Sequence, residues 1–166
     1  MIFVTVGTHE QPFNRLIHEM DLLKKEGIIG CKIMMQIGYS TYIPTNADYK
    51  AMLSYEEMLY YIEKADIVVT HGGPSSFALP LTMGKIPIVV PRQRKYNEHV
   101  NNHQLEFIKE VEKRNRNIIA VYDIGDLKDV IMHYSEIETL MKKEVKSHTK
   151  AFNESLIRII DELWRK

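Results

Sequence analysis

Short runs of β-branched and apolar residues alternate with segments of helical period along almost the whole chain, and this alternation limits the possible folds more than any single motif does. Met1 to Val6 reads as a strand that begins at the first residue. Phe13, Leu16, Ile17, Met20 and Leu23 then recur at threes and fours, forming one face of a helix that ends near Lys25-Glu26-Gly27. Lys32 to Ile37 is a second strand, followed by an irregular polar stretch to about Tyr49. Lys50 to Leu53 is expected as a short third strand, Tyr55 to Lys64 as a helix, and Ile67 to Thr70 as the next strand. Beyond it the pattern predicts a helix over Ser75 to Met83, a strand over Ile86 to Val90, a helix over Glu98 to Val111 and a last strand over Ile118 to Val121. Helices near Asp126 to His133 and over Glu136 to Trp164, interrupted around Ser147-His148, complete the chain. Strands alternating with helices over nearly the whole length predict an α/β fold: a Rossmann-like parallel sheet with helices on both faces, in one domain over residues 1–166.

Charge and cysteine usage exclude some classes of function. The 22 basic and 22 acidic residues cancel, so the chain carries no electrostatic footprint for nucleic acid, and none is expected as a partner. Cys31, the single cysteine, cannot form an internal disulfide and is expected to be a small core residue at the start of the second strand. No secretory leader and no membrane-spanning apolar run is legible, which predicts a cytoplasmic protein whose membrane association is peripheral.

In parallel α/β sheets ligands bind beyond the carboxyl ends of the strands. That rule selects the loops Gly7-Thr8-His9-Glu10-Gln11, His71-Gly72-Gly73 and Pro91 to His99. In the second, two adjacent glycines let backbone approach a ligand. Pro74 suits a first helical position, and Ser75 and Ser76 place hydroxyls and N–H groups in the first turn, a geometry fitted to phosphate. In the third, Arg92, Arg94 and Lys95 are candidates to hold phosphate charge, and Glu98 and His99 to bond sugar hydroxyls; Glu98 serves equally well as a favourable charge at a helix start. His99 and His103 stand four apart on one expected helix face, but the pattern is not H-E-x-x-H, and no metal is expected. G-x-G-x-x-G and the P-loop pattern are both missing from the first loop.

Gly7-Thr8, His71-Gly72-Gly73 with Ser75-Ser76, Gly84-Lys85-Ile86-Pro87, and Pro91 leading to Glu98-His99 and Asn102 together resemble the C-terminal, donor-binding half of GT-B glycosyltransferases, of the family 28 type. The nearest resemblance is to small bacterial capsule and exopolysaccharide glycosyltransferase subunits that begin V-G-T-H-E-Q-P-F-N-R-L-I. These are similar to the soluble catalytic subunit of the two-part N-acetylglucosaminyltransferase acting on dolichol-linked sugar. The resemblance implies that Gly7, Thr8, Gly72, Gly73 and Ser75 hold a donor diphosphate, and that Glu98, His99 and Asn102 match a D-Q-x-x-N pattern facing the donor sugar. It further implies that Leu79 stands where the family often carries a ribose-binding acid. Pro80, inside a helix, predicts a short or kinked one, since it removes a backbone bond at a cost of ~3 kcal/mol.

The implied activity is inverting transfer of a hexose, with galactose or glucose favoured, from a UDP-sugar to a lipid-linked saccharide in capsule or exopolysaccharide synthesis. His9 and Glu10 are the candidate general bases, unless a partner supplies one. The resemblance also implies a membrane-anchored partner subunit that supplies the acceptor-binding half and holds the chain at the inner face of the plasma membrane. Phe152, Leu156, Ile159, Ile160, Leu163 and Trp164 form an apolar stripe on a C-terminal helix of about 149–165, part of which is a candidate partner contact. Two competing readings are a non-catalytic sugar-nucleotide-binding activator of a partner enzyme and a small metal-dependent hydrolase.

Overall fold

The computed structural model describes residues 1–142, of which 1–132 form one compact unit and the remainder belongs to a second. In the first unit six strands form one sheet: β1 (Ile2–Thr5), β2 (Ile33–Gln36), β3 (Asp48–Lys50), β4 (Ile67–His71), β5 (Ile88–Val90) and β6 (Ile119–Ala120). Their order is β3-β2-β1-β4-β5-β6 and every pairing is parallel, with Val4 opposite Met35 on one side and Val69 on the other. Helices cover both faces of such a sheet, so β1, β2 and β5 are buried at every position and read as continuous apolar runs without alternation.

Four helices connect strands, α1 (Asn14–Lys25), α2 (Tyr55–Lys64), α3 (Pro74–Thr82) and α4 (His103–Asn115), and α5 (Leu127–Met132) follows β6. One buried cluster joins α2 to the sheet through Ile62, Phe3, Met34 and Val68, and another joins α3 and α4 through Phe77, Ile108, Val111 and Val89. α2 starts where the sequence predicts because Ser54 accepts the Glu57 N–H at 3.2 Å while the Glu57 carboxylate accepts the Ser54 N–H at 2.9 Å. This reciprocal capping box stabilises a helix start by ~1 kcal/mol.

Three local expectations are corrected. β3 lies at Asp48–Lys50 rather than 50–53, because the Ile37 N–H donates to the Lys50 carbonyl at 3.0 Å, which fixes the register, and Ser54 must then turn out as a helix cap. Cys31 is exposed, not in the core. The strand begins only at Ile33, and the Cys31 carbonyl accepts from the Lys24 ammonium at 2.8 Å in the turn before it. The third correction concerns α4, which begins at His103 and not at Glu98. Asn97 takes a left-handed φ of 57° after a single 3-10 turn over Arg94–Tyr96, and Glu98 is drawn inward. α3, with Pro80 inside it, is nine residues long.

In the second unit residues 134–142 are helical, with the Lys142 ammonium 2.7 Å from Glu138 one turn earlier. The apolar stripe from Phe152 to Trp164 lies outside the described residues. Among the described residues no helix is long and apolar enough to cross a membrane.

Candidate functional site

From β1 the sheet continues to β2 and β3 on one side, and from β4 to β5 and β6 on the other. The carboxyl ends of two strands that diverge in this way leave a crevice between their loops. Gly7 enters it from β1 and His71, the last residue of β4, enters it from the other side.

The His71 ring occupies space that two glycines vacate. A β-carbon at Gly7 would come 2.4 Å from His71 Nε2, and one at Gly73 would come 2.3 Å from Cε1. Gly7 also adopts a φ of 74°, a conformation that L side chains rarely take. His71 Nδ1 accepts the Gly73 N–H at 3.0 Å, and Nε2 lies 2.8 Å from Ser76 Oγ. With Nδ1 an acceptor, the neutral ring carries its proton on Nε2 and donates to Ser76. Burial, and after it the charge of Arg92, push the His71 pKa from 6.5 to about 4, so the ring is neutral at physiological pH.

These bonds alter the expectation of a turn full of free donors. The Gly72 N–H goes to Gln104 Oε1 at 3.1 Å, the Gly73 N–H to His71, and the Ser76 N–H to the Gly73 carbonyl at 3.0 Å. Pro74 has no N–H. Of the Gly72, Gly73, Ser75 and Ser76 N–H groups, that of Ser75 alone has no acceptor among the described residues, and Ser75 is exposed at the start of α3.

Arg92 and Glu98 also differ from their expected role as ligand-facing groups. Arg92 is 0% exposed and Glu98 2%. The Arg92 guanidinium donates to the carbonyls of Val6 at 2.8 Å, Gln11 at 2.7 Å and Glu98 at 3.0 Å, and lies over the Phe13 ring. Burial lowers its pKa to about 10, which leaves it charged at neutral pH. The Glu98 carboxylate is held by Arg15 through a two-pronged pair at 2.8 and 2.9 Å and accepts the Gln93 N–H at 3.0 Å. Both charges brace the loops from beneath, and neither is presented to solvent.

The remaining predicted residues lie at the mouth. His9, after β1, stacks on His99, after β5, with ring centroids 4.6 Å apart. Thr8 and Glu10 are exposed beside them. Asn102 is exposed and its side-chain oxygen accepts the Arg94 N–H at 3.0 Å, which shapes the loop leading to α4. His99 precedes α4 and His103 begins it, so the expected shared helix face does not exist. Among the described residues no three His, Cys, Asp or Glu side chains gather as a metal-binding group. A groove of about 480 Å³ opens beside the turn, lined by Gly72, Pro74, His103, Gln104 and Phe107.

Sequence reasoning missed Arg15, Gln11 and Gln104. Gln104 joins two loops, since its side-chain oxygen accepts both the Gly72 N–H and, at 3.2 Å, the Arg92 N–H. All three are polar residues at ordinary positions in a loop or a first helical turn, and their partners lie 12 to 86 residues away in the sequence, except within the loop after β1. No local pattern announces such pairings.

A parallel sheet of this order, with a glycine-flanked turn at its switch point, is Rossmann-like, the fold of the C-terminal half of GT-B glycosyltransferases. Residues 1–157 match the glycosyltransferase family 28 C-terminal domain, and the chain belongs to that family. It is 36% identical over 121 residues to the human UDP-N-acetylglucosamine transferase subunit ALG13, a match that covers 68% of this chain and 10% of that protein. Its fold is similar to that of the glycotransferase of kitacinnamycin, with a TM-score of 0.52 at 17% identity, covering 89% of this chain and 39% of that one. The chain thus spans a minor part of either relative.

Proposed function

We propose that this domain binds a UDP-sugar in the crevice between β1 and β4 and transfers its hexose, galactose or glucose in the first instance, to a lipid-linked saccharide of capsule or exopolysaccharide synthesis. The observation that carries the reading is the convergence of three loops on the neutral His71 turn: Gly7 against the ring, Gln104 bridging to β5, and His99 against His9. Family membership supports transferase chemistry, and the resemblance to a two-part enzyme supports a membrane-anchored partner that supplies the acceptor side and holds this chain at the inner face of the plasma membrane.

In the reaction the acceptor hydroxyl gives its proton to a general base while its oxygen attacks the anomeric carbon from the face opposite UDP. The bond from that carbon to the diphosphate oxygen breaks with its electron pair, and UDP leaves with inversion at the sugar. His9, at the mouth and half-buried, suits the base better than the exposed Glu10. The exposed Ser75 N–H and the start of α3 offer partial positive charge to the leaving diphosphate, while His71 positions that turn without adding charge. No metal ion enters this scheme.

Titrating the chain with UDP and with UDP-galactose, UDP-glucose and UDP-N-acetylglucosamine, then assaying transfer with the co-expressed membrane subunit, tests the reading. Saturable UDP-sugar binding and partner-dependent transfer are expected, reduced at least a hundredfold in His9→Ala. UDP binding without transfer in any pairing would replace the transferase with an activator, and no UDP binding at all would end both readings.

A further inference from the structure

The loops after β1 and β5 are joined by hydrogen bonds that end on the His9 ring, and the middle of this connection is Gln11. Its carboxamide nitrogen donates to the Asn97 carbonyl at 3.3 Å, and its backbone carbonyl accepts from Arg92 at 2.7 Å. The carboxamide oxygen is left facing His9 Nε2 at 3.0 Å. Rotating the amide by half a turn would set two oxygens, those of Gln11 and Asn97, against each other, so the network itself fixes the orientation. An amide oxygen has no proton to give. In neutral His9 the proton therefore resides on Nε2 and the lone pair on Nδ1.

One face of the ring is covered by His99, inclined at 25° to it, whose Nδ1 accepts the Asn101 N–H at 3.4 Å. Burial first, and then the neighbouring His9, lower the proton affinity of His99, which keeps the stacked ring neutral. The other titratable groups acting here are His71 from β4, Arg92 from the end of β5 and, on His99, His103 from α4. Glu98, the carboxylate of the same loop, is bound by Arg15, and Glu10 faces solvent. A carboxylate would raise the basicity of His9, but here a neutral amide orients it instead.

We infer that Gln11 is a positioning residue for the transfer reaction: it locks His9 as the Nε2–H tautomer and leaves Nδ1 free to take the acceptor hydroxyl proton. This rests on the reading of His9 as the general base. Long-range proton–nitrogen NMR of the ¹⁵N-histidine-labelled chain reads the tautomer directly, with no need of the partner. The Nε2–H form is expected in the wild type and a mixture of tautomers in Gln11→Ala. Gln11→Glu, which sets a carboxylate where the neutral amide stood, is expected to move the acidic limb of the kcat/KM profile of the reconstituted pair upward. In Gln11→Ala kcat should fall about tenfold or more while KM for the donor stays within twofold. A wild-type His9 in the Nδ1–H form, or a tautomer and a pH–rate profile unchanged in both variants, overturns the role of Gln11. Undiminished transfer by His9→Ala, alongside a wild type that shows the Nε2–H lock, instead overturns the base assignment, and with it any part for Gln11 in the reaction.

Discussion

The loop after β2, residues 37–47, and the loop after β5, residues 91–102, are both irregular and both fastened by a buried charge, but the two charges reach different distances. Asp21, from α1, accepts the Asn46 N–H at 2.7 Å, the Thr45 N–H at 3.1 Å and the Tyr42 hydroxyl at 2.8 Å, so all these partners lie in one loop. Arg92 instead reaches the carbonyls of Val6, Gln11 and Glu98, which lie at the end of β1, in the loop after it and in its own loop. One charge stiffens an edge of the sheet; the other assembles the crevice. A buried anion that takes local N–H groups acts as an oversized cap, whereas a buried guanidinium, with five donors in a fixed fork, can bind carbonyls from separate segments at once.

Replacing each anchor should break the comparison or sharpen it. The largest effect is expected for Arg92→Met, which leaves three carbonyls unpaired and removes the positive charge beneath Glu98. It should cost about 3–5 kcal/mol in urea unfolding and abolish UDP binding together with the His9–His99 stack. Retention of UDP binding by a folded Arg92→Met chain would show that the crevice assembles without it.

Acid separates the two regions without mutation. His71 has a folded pKa near 4 against 6.5 when free, so the unfolded chain binds the extra proton. The stability that its neutral form preserves is complete above pH 6.5 and is lost as pH falls toward 4, a loss of ~3 kcal/mol. His71→Gln should flatten that part of the stability profile. For Asp21, desolvation opposes the charge, but the N–H groups of Thr45 and Asn46 and the Tyr42 hydroxyl outweigh it and hold the carboxyl below its ordinary 3.8. Its contribution therefore persists to lower pH and is lost only as pH falls from 3.8 through the folded value. The smallest effect is expected for Asp21→Asn, about 2 kcal/mol by the same unfolding measurement, with UDP affinity unchanged within twofold. A large loss of UDP affinity in that variant would join the β2 loop to the site and erase the contrast.

Fold class, element order and the three loops that follow β1, β4 and β5 were legible in the sequence because each rests on local information. Period distinguishes strand from helix, Gly72-Gly73-Pro74 announces a turn into a helix, and a parallel sheet presents its loops at one end. What the polar residues of those loops do was not legible. Arg92 and Glu98 carry the same charges whether they face a ligand or the interior, and only the 81 to 86 residue separations closed by folding make them braces. Likewise the spacing of His99 and His103 suggested one helix face, until the left-handed turn at Asn97 delayed the helix to His103. The sequence by itself determined an α/β domain of the glycosyltransferase family 28 type with a glycine-lined turn at its centre. Only the tertiary structure decided that this turn closes on a neutral histidine and that a glutamine sets the tautomer of another, because hydrogen-bond partners and desolvation are properties of neighbours in space.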